Sequence, residues 1–288
     1  MMNVGIIGAG AWGTALSIIT ARGGSNVILW SYDGQKTDFE GVQVPENIKM
    51  TSSMDFLSDC DAWLIVTPAA FFRETSRKAR IFYKNQPIII CTKGAEYSTG
   101  DFVSEILQAE IPEVSDFGVL SGPQFAAEVA RGIPTGSTLA GTQKVLDAGR
   151  VIFNQLYLSE TDDIIGSEIC GVGKNAVALI CGYNAIKADG ENERALIFTR
   201  AWNEVMNIGV ARGAKMKTFL DLCGIGDLFL SATSATSRNF AGGMSIARGE
   251  KPTGTVEGIF ALNGLINLAE KLGVQIPILK EMREKLHI

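Results

Sequence analysis

A glycine-rich turn between an apolar strand and an apolar helix dominates the first 33 residues. The segment NVGII is rich in β-branched residues, as buried strands are. Gly8, Gly10 and Gly13 follow at the spacing G-x-G-x-x-G, TALSIITA continues with helical periodicity, and Val27–Trp30 predicts a second strand. In such a unit the glycines provide a tight turn, an approach for a pyrophosphate and close helix–strand packing, while the helix N-terminus attracts phosphates. A glycine-rich turn without a ligand is the alternative, but this strand–turn–helix–strand context favours dinucleotide binding.

Strands and helices alternate up to about residue 161. Further strands are predicted at Ile48–Thr51, Ala62–Thr67, Pro87–Cys91, Gly118–Leu120, Thr135–Ala140 and Gln155–Leu158, with helices between most of them. From about Asp162 the strand pattern stops and long helical patterns replace it. The sequence therefore predicts an α/β fold, a Rossmann-type doubly wound and mostly parallel sheet over residues 1–161, followed by an all-helical C-terminal domain over residues 162–288.

The composition argues against several classes of protein. A net charge of −5 does not suit a nucleic-acid surface or an anionic membrane. The only histidine, His287, lies at the C-terminal end, so a histidine base is not expected and proton transfer falls to other side chains. The five cysteines show no metal-ligand spacing, so neither a metal site nor a disulfide framework is indicated. No apolar run approaches the length expected of a membrane span, and a predicted strand starting at residue 3 is expected to leave no room for a leader. We therefore expect a cytoplasmic protein.

Two polar residues lie in an unexpectedly apolar segment. Lys174 and Asn175 interrupt the helical pattern CGVGKNAVALICG. Lysine is rarely buried without a partner, and a desolvated amine is suited to proton exchange. The alternative is a lysine near the start of a helix, with its stem packed and its ammonium in water.

Other candidate residues lie at predicted strand exits and helix starts. Lys93 follows the PIIIC strand, and Gly122-Pro123 follows the next one, at the sheet edge where ligands bind. Each also has an explanation that needs no ligand. Lys93 is equally compatible with a solvated loop, and Pro123 is equally compatible with the start of a helix. Asp227 has two possible roles. It is a suitable N-cap for a helix, or it is a partner that holds the amine of Lys174.

The tripeptide Ser237-Arg238-Asn239 offers anion-binding groups, because the planar guanidinium of arginine matches phosphate.

Taken together, these motifs resemble those of bacterial-type NAD(P)-dependent glycerol-3-phosphate dehydrogenases. GAGAWGTALS, CTKG, SGPQFAAEVARGIPT, GKN, GIGDL and SRN occur in that family's order and at similar intervals over nearly the whole chain. The resemblance implies a nucleotide-binding N-terminal domain and a helical C-terminal domain. It also implies reduction of dihydroxyacetone phosphate to sn-glycerol 3-phosphate, a precursor of phospholipids, with NAD or NADP as coenzyme. A homodimer is the family expectation.

The resemblance assigns roles to individual residues. Lys174 matches the general acid or base, Lys93 a lysine that contacts substrate and coenzyme, and Asp227 a partner of Lys174; these three are the expected catalytic residues. The expected substrate-binding residues are Lys93, Gly122, Gln124, Lys174, Asn175, Asp227, Ser231, Ser237, Arg238 and Asn239. The expected coenzyme-binding residues are Gly8, Gly10, Ala11, Trp12, Gly13, Ser31, Tyr32, Lys93, Ala126, Arg238, Thr255 and Glu257.

The chain also departs from the family pattern. It is shorter than typical members after the second strand and after Asn239. Gly173 replaces a leucine, which predicts a looser helix around Lys174, and Gln124 replaces a small hydroxyl residue. The family's basic residue after the second strand is absent from WSYDGQK, where Asp33 favours the free ribose of NAD. Ser31, Tyr32 and Lys36 leave a phosphate possible, so the coenzyme preference stays open at this point.

Two competing hypotheses remain. One is a related dehydrogenase that acts on another 2-keto or 2-hydroxy compound and does not need the phosphate anchor. The other is a nucleotide-binding sensor that has lost catalysis. The shortened loops and Gly173 give it some weight, but retention of Lys93, Lys174, Asp227 and Arg238 makes it the less favoured hypothesis.

Overall fold

The computed structural model describes residues 1–96 and 99–287. By its contacts the chain divides into two compact units. The first contains Met1–Glu96 and Asp101–Ile164, and the second contains Ile165–Ile288.

The first unit is built on one sheet, which has eight strands within the described residues. The strands are β1 (Asn3–Ile7), β2 (Asn26–Trp30), β3 (Ile48–Thr51), β4 (Ala62–Ile65), β5 (Ile88–Ile90), β6 (Phe117–Ser121), β7 (Gly136–Gly141) and β8 (Tyr157–Thr161). Their order across the sheet is β3-β2-β1-β4-β5-β6-β7-β8. All neighbouring pairs are parallel except β6 and β7. The predicted doubly wound, mostly parallel sheet is thus confirmed.

Five helices connect these strands within the described part of the first unit. They are α1 (Ala11–Arg22), α2 (Ala69–Ala79), α3 (Val103–Glu110), α4 (Ala126–Arg131) and α5 (Gln143–Ile152). The apolar side chains form two cores, one of which contains α1 residues such as Leu16 and Ile18 and the other α3 residues such as Ile106 and Leu107. Both faces of the sheet are buried, which explains the continuous apolar runs in its strands.

The strand order reverses between β1 and β4. From β1 the chain moves through β2 to β3 at one edge and then returns to β4 on the other side of β1. In open α/β sheets, ligands bind beyond the carboxyl ends of the strands at such a switch point. The glycine motif directly follows β1, so the topology places it at this point.

The second unit contains helices and no strand within its described residues. Its helices are α6 (Ile164–Lys187), which starts at the last residue of the first unit, α7 (Glu191–Ala211), α8 (Asp227–Thr233), α9 (Arg238–Ala247), α10 (Glu257–Leu272) and α11 (Pro277–Leu286). A 3₁₀ turn at Met216–Leu220 and a π turn at Leu222–Gly226 precede α8. The predicted all-helical C-terminal domain is therefore confirmed.

Helix α6 corrects two expectations. Lys174 does not lie near a helix start, because the helix begins ten residues earlier, at Ile164. The expectation that no segment reaches the length of a membrane span is also wrong. By length and composition, α6 is long and apolar enough to cross a membrane. However, 78% of its most apolar 18-residue stretch is buried inside the structure. Helix α6 continues through Lys174, whose ammonium is paired with a carboxylate.

The cysteines are free thiols. Cys60, Cys91, Cys170 and Cys223 are buried, and Cys181 is half-buried. Burial raises the pKa of Cys60 and of Cys181 to about 12. These two thiols are thus protonated and unreactive near neutral pH.

Candidate active site

The three glycines of the G-x-G-x-x-G motif differ in whether a side chain would fit at their positions. Gly8 has a φ of +115°, and a Cβ there would lie 3.0 Å from the Val66 backbone. At Gly13 a Cβ would lie 1.8 Å from the carbonyl oxygen of Gly8, so only glycine lets α1 lie this close to the end of β1. A Cβ at Gly10 would meet nothing within 4 Å. Internal packing therefore explains Gly8 and Gly13 but not Gly10. In the dinucleotide-binding fold, the second glycine of the motif is the position where a pyrophosphate approaches the backbone.

The N-terminus of α1 suits an anionic ligand. Gly10 caps the helix without a side-chain hydrogen bond, and no acidic residue lies in the first turn. Ala11 is exposed and Trp12 half-buried, so the backbone at this helix end remains accessible. Unsatisfied N–H groups and the helix dipole there attract phosphate. The residues present fit a bound dinucleotide.

The segment after β2 folds back onto the glycine turn. The Gly8 N–H donates to the Trp30 carbonyl at 3.0 Å. The Thr37 N–H donates to the Ala9 carbonyl and to the Thr14 Oγ1, each at 3.2 Å. The predicted residues Ser31, which is buried, and Tyr32, which is 85% exposed, lie on this returning segment. Thr14 and Thr37 were not predicted, since their contact joins residues 23 positions apart.

Two predicted strand exits meet in the first unit. The Lys93 Nζ donates to the Gly122 carbonyl at 3.1 Å, which joins the TKG turn after β5 to the SGP turn after β6. A Cβ at Gly122 would lie 2.7 Å from the Gly136 carbonyl, so glycine is needed there for close packing against β7. Near these turns, Gln124 has a buried Nε2 with no hydrogen-bond partner in the described part of the chain. Buried polar groups are normally hydrogen-bonded, so this amide N–H is a candidate donor to a bound ligand. Ala126, another predicted coenzyme contact, is the first residue of α4.

Lys174 is held by two polar side chains in the second unit. Its Nζ lies 3.3 Å from the Asp227 Oδ1 and donates to the Ser231 Oγ at 3.0 Å. The Ser231 hydroxyl lies 3.4 Å from the same Asp227 oxygen. The side chains of Lys174 and Asp227 are 14% and 2% exposed, so the pair is nearly dry. A buried charge pair with added hydrogen bonds fixes the amine in one place.

The π turn before α8 places Asp227. Asp227 is the first residue of α8, immediately after the turn Leu222–Gly226. A Cβ at Gly224 would lie 2.2 Å from the Phe219 carbonyl oxygen, so the turn closes this tightly only with glycine. Because the Asp227 carboxylate binds Lys174, it is not a simple helix cap. Single-turn π bulges are frequent at functional sites.

A second polar network starts at the residue next to Lys174. The Asn239 Nδ2 donates to the Asn175 Oδ1 at 2.8 Å, and the Gly258 N–H donates to the Asn239 Oδ1 at 2.9 Å. The Asn175 Nδ2 donates to Glu257 at 3.3 Å. Glu257 in turn lies 3.9 Å from Arg238. The structure thus brings together predicted residues from α6, α9 and α10.

Glycines allow these helices to approach one another. A Cβ at Gly243 of α9 would lie 2.0 Å from the Leu179 carbonyl of α6, and one at Gly182 would lie 1.9 Å from the Phe240 carbonyl. At Gly173 a Cβ would lie 2.4 Å from the Val205 side chain of α7. The expected loosening at Gly173 is not found, because α6 is continuous there and its glycine packs closely against α7.

Arg238 is the most exposed charged group of the second network. Its side chain is 74% exposed, and its contact with Glu257 is loose. Ser237, which is buried, caps α9 by accepting a hydrogen bond from the Phe240 N–H. Arg238 thus stands at a helix N-terminus, where both the guanidinium and the dipole attract an anion. Thr255, a predicted coenzyme contact, is exposed shortly before α10.

No group of three or more His, Cys, Asp or Glu side chains suited to a metal ion occurs in residues 1–96 and 99–287.

Comparison with family models relates both units to one family. The model for the N-terminus of NAD-dependent glycerol-3-phosphate dehydrogenase matches residues 3–146, and the model for its C-terminus matches residues 163–287.

Individual relatives agree with these matches. A glycerol-3-phosphate dehydrogenase, NAD(P)+, from Parvibaculum lavamentivorans is 35% identical, with coverage of 96% of this chain and 89% of the relative. One of the same name from Afipia carboxidovorans is 37% identical with the same coverage. The crystal structure of glycerol-3-phosphate dehydrogenase from Coxiella burnetii superposes with a TM-score of 0.89 at 29% identity, covering 99% of this chain and 94% of that one.

The contrast between Gly10 and Gly13 gives a first prediction. Gly13→Ala is expected to destabilise the protein by about 2 kcal/mol or more, since the methyl group has no space against the Gly8 carbonyl. Gly10→Ala is expected to change stability by less than about 1 kcal/mol, the scale of an N-cap change. It should nevertheless weaken binding of a reduced nicotinamide dinucleotide by about 10-fold or more, because its methyl group occupies the phosphate approach.

Urea unfolding and a fluorescence titration of the dinucleotide measure the two effects separately. Unchanged dinucleotide affinity in Gly10→Ala would remove the glycine turn from the binding site.

Proposed function

This chain belongs to the NAD-dependent glycerol-3-phosphate dehydrogenase family, and we propose that it interconverts dihydroxyacetone phosphate and sn-glycerol 3-phosphate with NAD or NADP as coenzyme. The observation that carries the proposal is the nearly dry contact of Lys174 with Asp227 and Ser231. An amine fixed in this way is suited to proton transfer with a substrate oxygen. The family match over both units supports the choice of substrate.

The coenzyme, when bound, supplies or accepts the hydride at the central carbon of the triose. In the reductive direction that carbon gains a hydride, the carbon–oxygen π bond becomes an oxygen lone pair, and the oxygen needs one proton. Lys174 donates this proton as general acid, and the neutral amine takes a proton back from solvent. In the oxidative direction Lys174 acts as the base.

The partners of Lys174 have separate tasks in this mechanism. Asp227 favours the ammonium form electrostatically and keeps it in position. Ser231 receives an N–H of the same amine and so fixes its direction. We assign Lys93 to the stabilisation of negative charge on the carbonyl oxygen and to coenzyme contact, a role that its place at the β5 exit supports.

Arg238 anchors the phosphate of the substrate in this proposal. Its exposed guanidinium and its place at the start of α9 support the assignment. Asn175 and Asn239 hold α6 and α9 together beside it, and Ser237 caps α9. Binding of the remote phosphate orients the ketone for the reaction.

The wider setting also belongs to the proposal. We propose that the protein works in the cytoplasm as a homodimer and supplies glycerol 3-phosphate for phospholipid synthesis, as the family resemblance implies. The net charge of −5 supports a small-molecule substrate rather than nucleic acid. The burial of α6 supports the absence of membrane insertion.

An absorbance assay at 340 nm (the reduced-nicotinamide band) tests the activity. It combines the purified protein with dihydroxyacetone phosphate and each reduced coenzyme in turn. The proposal predicts oxidation of at least one coenzyme. Tight coenzyme binding without turnover would favour a sensor, and turnover only with a non-phosphorylated keto acid would favour a related dehydrogenase.

The role of Lys174 gives a second prediction. Lys174→Ala and Lys174→Arg are each expected to lower kcat/KM by about 10²- to 10⁴-fold, the usual contribution of a general acid. Arginine keeps the charge beside Asp227 but does not release a proton, so that variant separates catalysis from folding. Lys187→Ala, at the exposed end of the same helix, is the matched control and should retain activity. A threefold loss or less in Lys174→Arg, with the fold intact by circular dichroism, contradicts the assignment.

The phosphate anchor gives a third prediction. Arg238→Met is expected to raise KM for dihydroxyacetone phosphate by about 10-fold or more, with a smaller change in kcat, because it removes a charge-assisted hydrogen bond. Arg248→Met is the control, since Arg248 is exposed just beyond the other end of α9. Steady-state kinetics check the result. An equal rise in KM in both variants would indicate a general effect of charge and would contradict the anchor.

A further inference from the structure

We infer that Asp33 makes this enzyme selective for NAD over NADP. The inference rests on the proposed function and deepens it, since it names the coenzyme of the same site. NADP differs from NAD by one phosphate on the 2′-oxygen of the adenosine ribose. The question is therefore what charge the chain presents at that ribose.

The position of Asp33 matches the ribose-binding position of the dinucleotide-binding fold. It follows Gly13 by 20 residues and lies just beyond the end of β2. In the dinucleotide-binding fold, an acidic residue about 20 residues after the glycine motif accepts a hydrogen bond from the ribose hydroxyl.

The segment that carries Asp33 is anchored next to the glycine turn. It leaves β2 at Trp30, whose carbonyl accepts the Gly8 N–H, and it returns at Thr37 to the Ala9 carbonyl. Both ends of the segment are thus tied to residues of the G-x-G turn. The segment that carries the carboxylate thus begins and ends beside the glycine turn.

Asp33 is also held in one orientation. The Ser31 hydroxyl donates to its Oδ1 at 2.6 Å, and the Gln35 N–H donates to the same oxygen at 3.0 Å. The hydrogen bond from Ser31, and to a lesser extent the one from Gln35, lower the pKa of the Asp33 carboxyl. The carboxyl is therefore ionised at neutral pH. No bond to Oδ2 from another residue occurs in the described chain, which leaves this oxygen to accept a ribose hydroxyl.

The surrounding charges oppose a 2′-phosphate. The segment SYDGQKTDFE contains three carboxylates, Asp33, Asp38 and Glu40, and one cation, Lys36. Lys36 forms an ion pair with Asp38. Ser31, whose hydroxyl is the other candidate hydrogen-bond donor to a phosphate in this segment, is buried. It already donates to Asp33 and accepts from the Gln35 N–H. A phosphate dianion would therefore meet net negative charge, whereas the free ribose of NAD meets a ready acceptor.

The test measures the dissociation constants of NADH and NADPH for the wild-type protein by nicotinamide fluorescence at fixed ionic strength. NADH is expected to bind about 10-fold or more tightly than NADPH, the value of one charge-assisted hydrogen bond. Asp33→Asn should reduce this ratio by about the same factor. Glu46→Gln removes the same charge from an exposed position six residues beyond this segment and should leave the ratio unchanged.

Each outcome decides the inference. Equal binding of the two coenzymes by the wild-type protein, or an equal change in both variants, overturns it and leaves the proposed function intact. Binding of neither coenzyme overturns the proposed function as well. The wild-type ratio alone is decisive if Asp33→Asn does not fold.

Discussion

The contact between the Lys174 ammonium and the Asp227 carboxylate is the interaction on which the functional part of the second unit depends. Two opposite charges that are almost removed from water are tolerated only when each compensates the other, since an unpaired buried charge costs several kcal/mol. The structure provides this compensation through α6, which carries the lysine, and the π turn, which presents the aspartate. The site thus combines a stability constraint with a chemical one. In the proposed mechanism, the same pair that permits a lysine inside an apolar helix also determines where its proton is offered.

Glycine has a comparable role in both units, because it lets backbone approach backbone. In the first unit it joins α1 to the end of β1 and leaves space for a ligand at Gly10. In the second unit Gly182 and Gly243 bring α6 and α9 together, so that Asn239 reaches Asn175. A side chain at the two crossing positions would separate the helices that carry the polar network. The residues proposed to bind substrate and coenzyme are therefore positioned by packing between backbones as much as by hydrogen bonds.

Much of this arrangement could be predicted from sequence because its determinants are local. The G-x-G-x-x-G spacing and the apolar strands predict the first βαβ unit, and Lys174 is conspicuous in an apolar segment. Other features depend on contacts between distant residues. The chain turns back after α4, so β7 runs antiparallel to β6, which no local pattern indicates. The start of α6 at Ile164 was not predicted because glycines at 166, 171 and 173 weaken its helical pattern. Sequence also suggested a loose helix at Gly173, because nothing local reveals that Val205 of α7 occupies the space beside it.

A crystal structure with reduced coenzyme and a substrate analogue tests the central claim most directly. The relevant quantity is the distance from the Lys174 Nζ to the oxygen on the central carbon of the triose. The account predicts a hydrogen bond between these two atoms, with Asp227 still in contact with the amine. A substrate oxygen bonded to a different side chain, with Lys174 out of its reach, would contradict the account even if the enzyme were fully active.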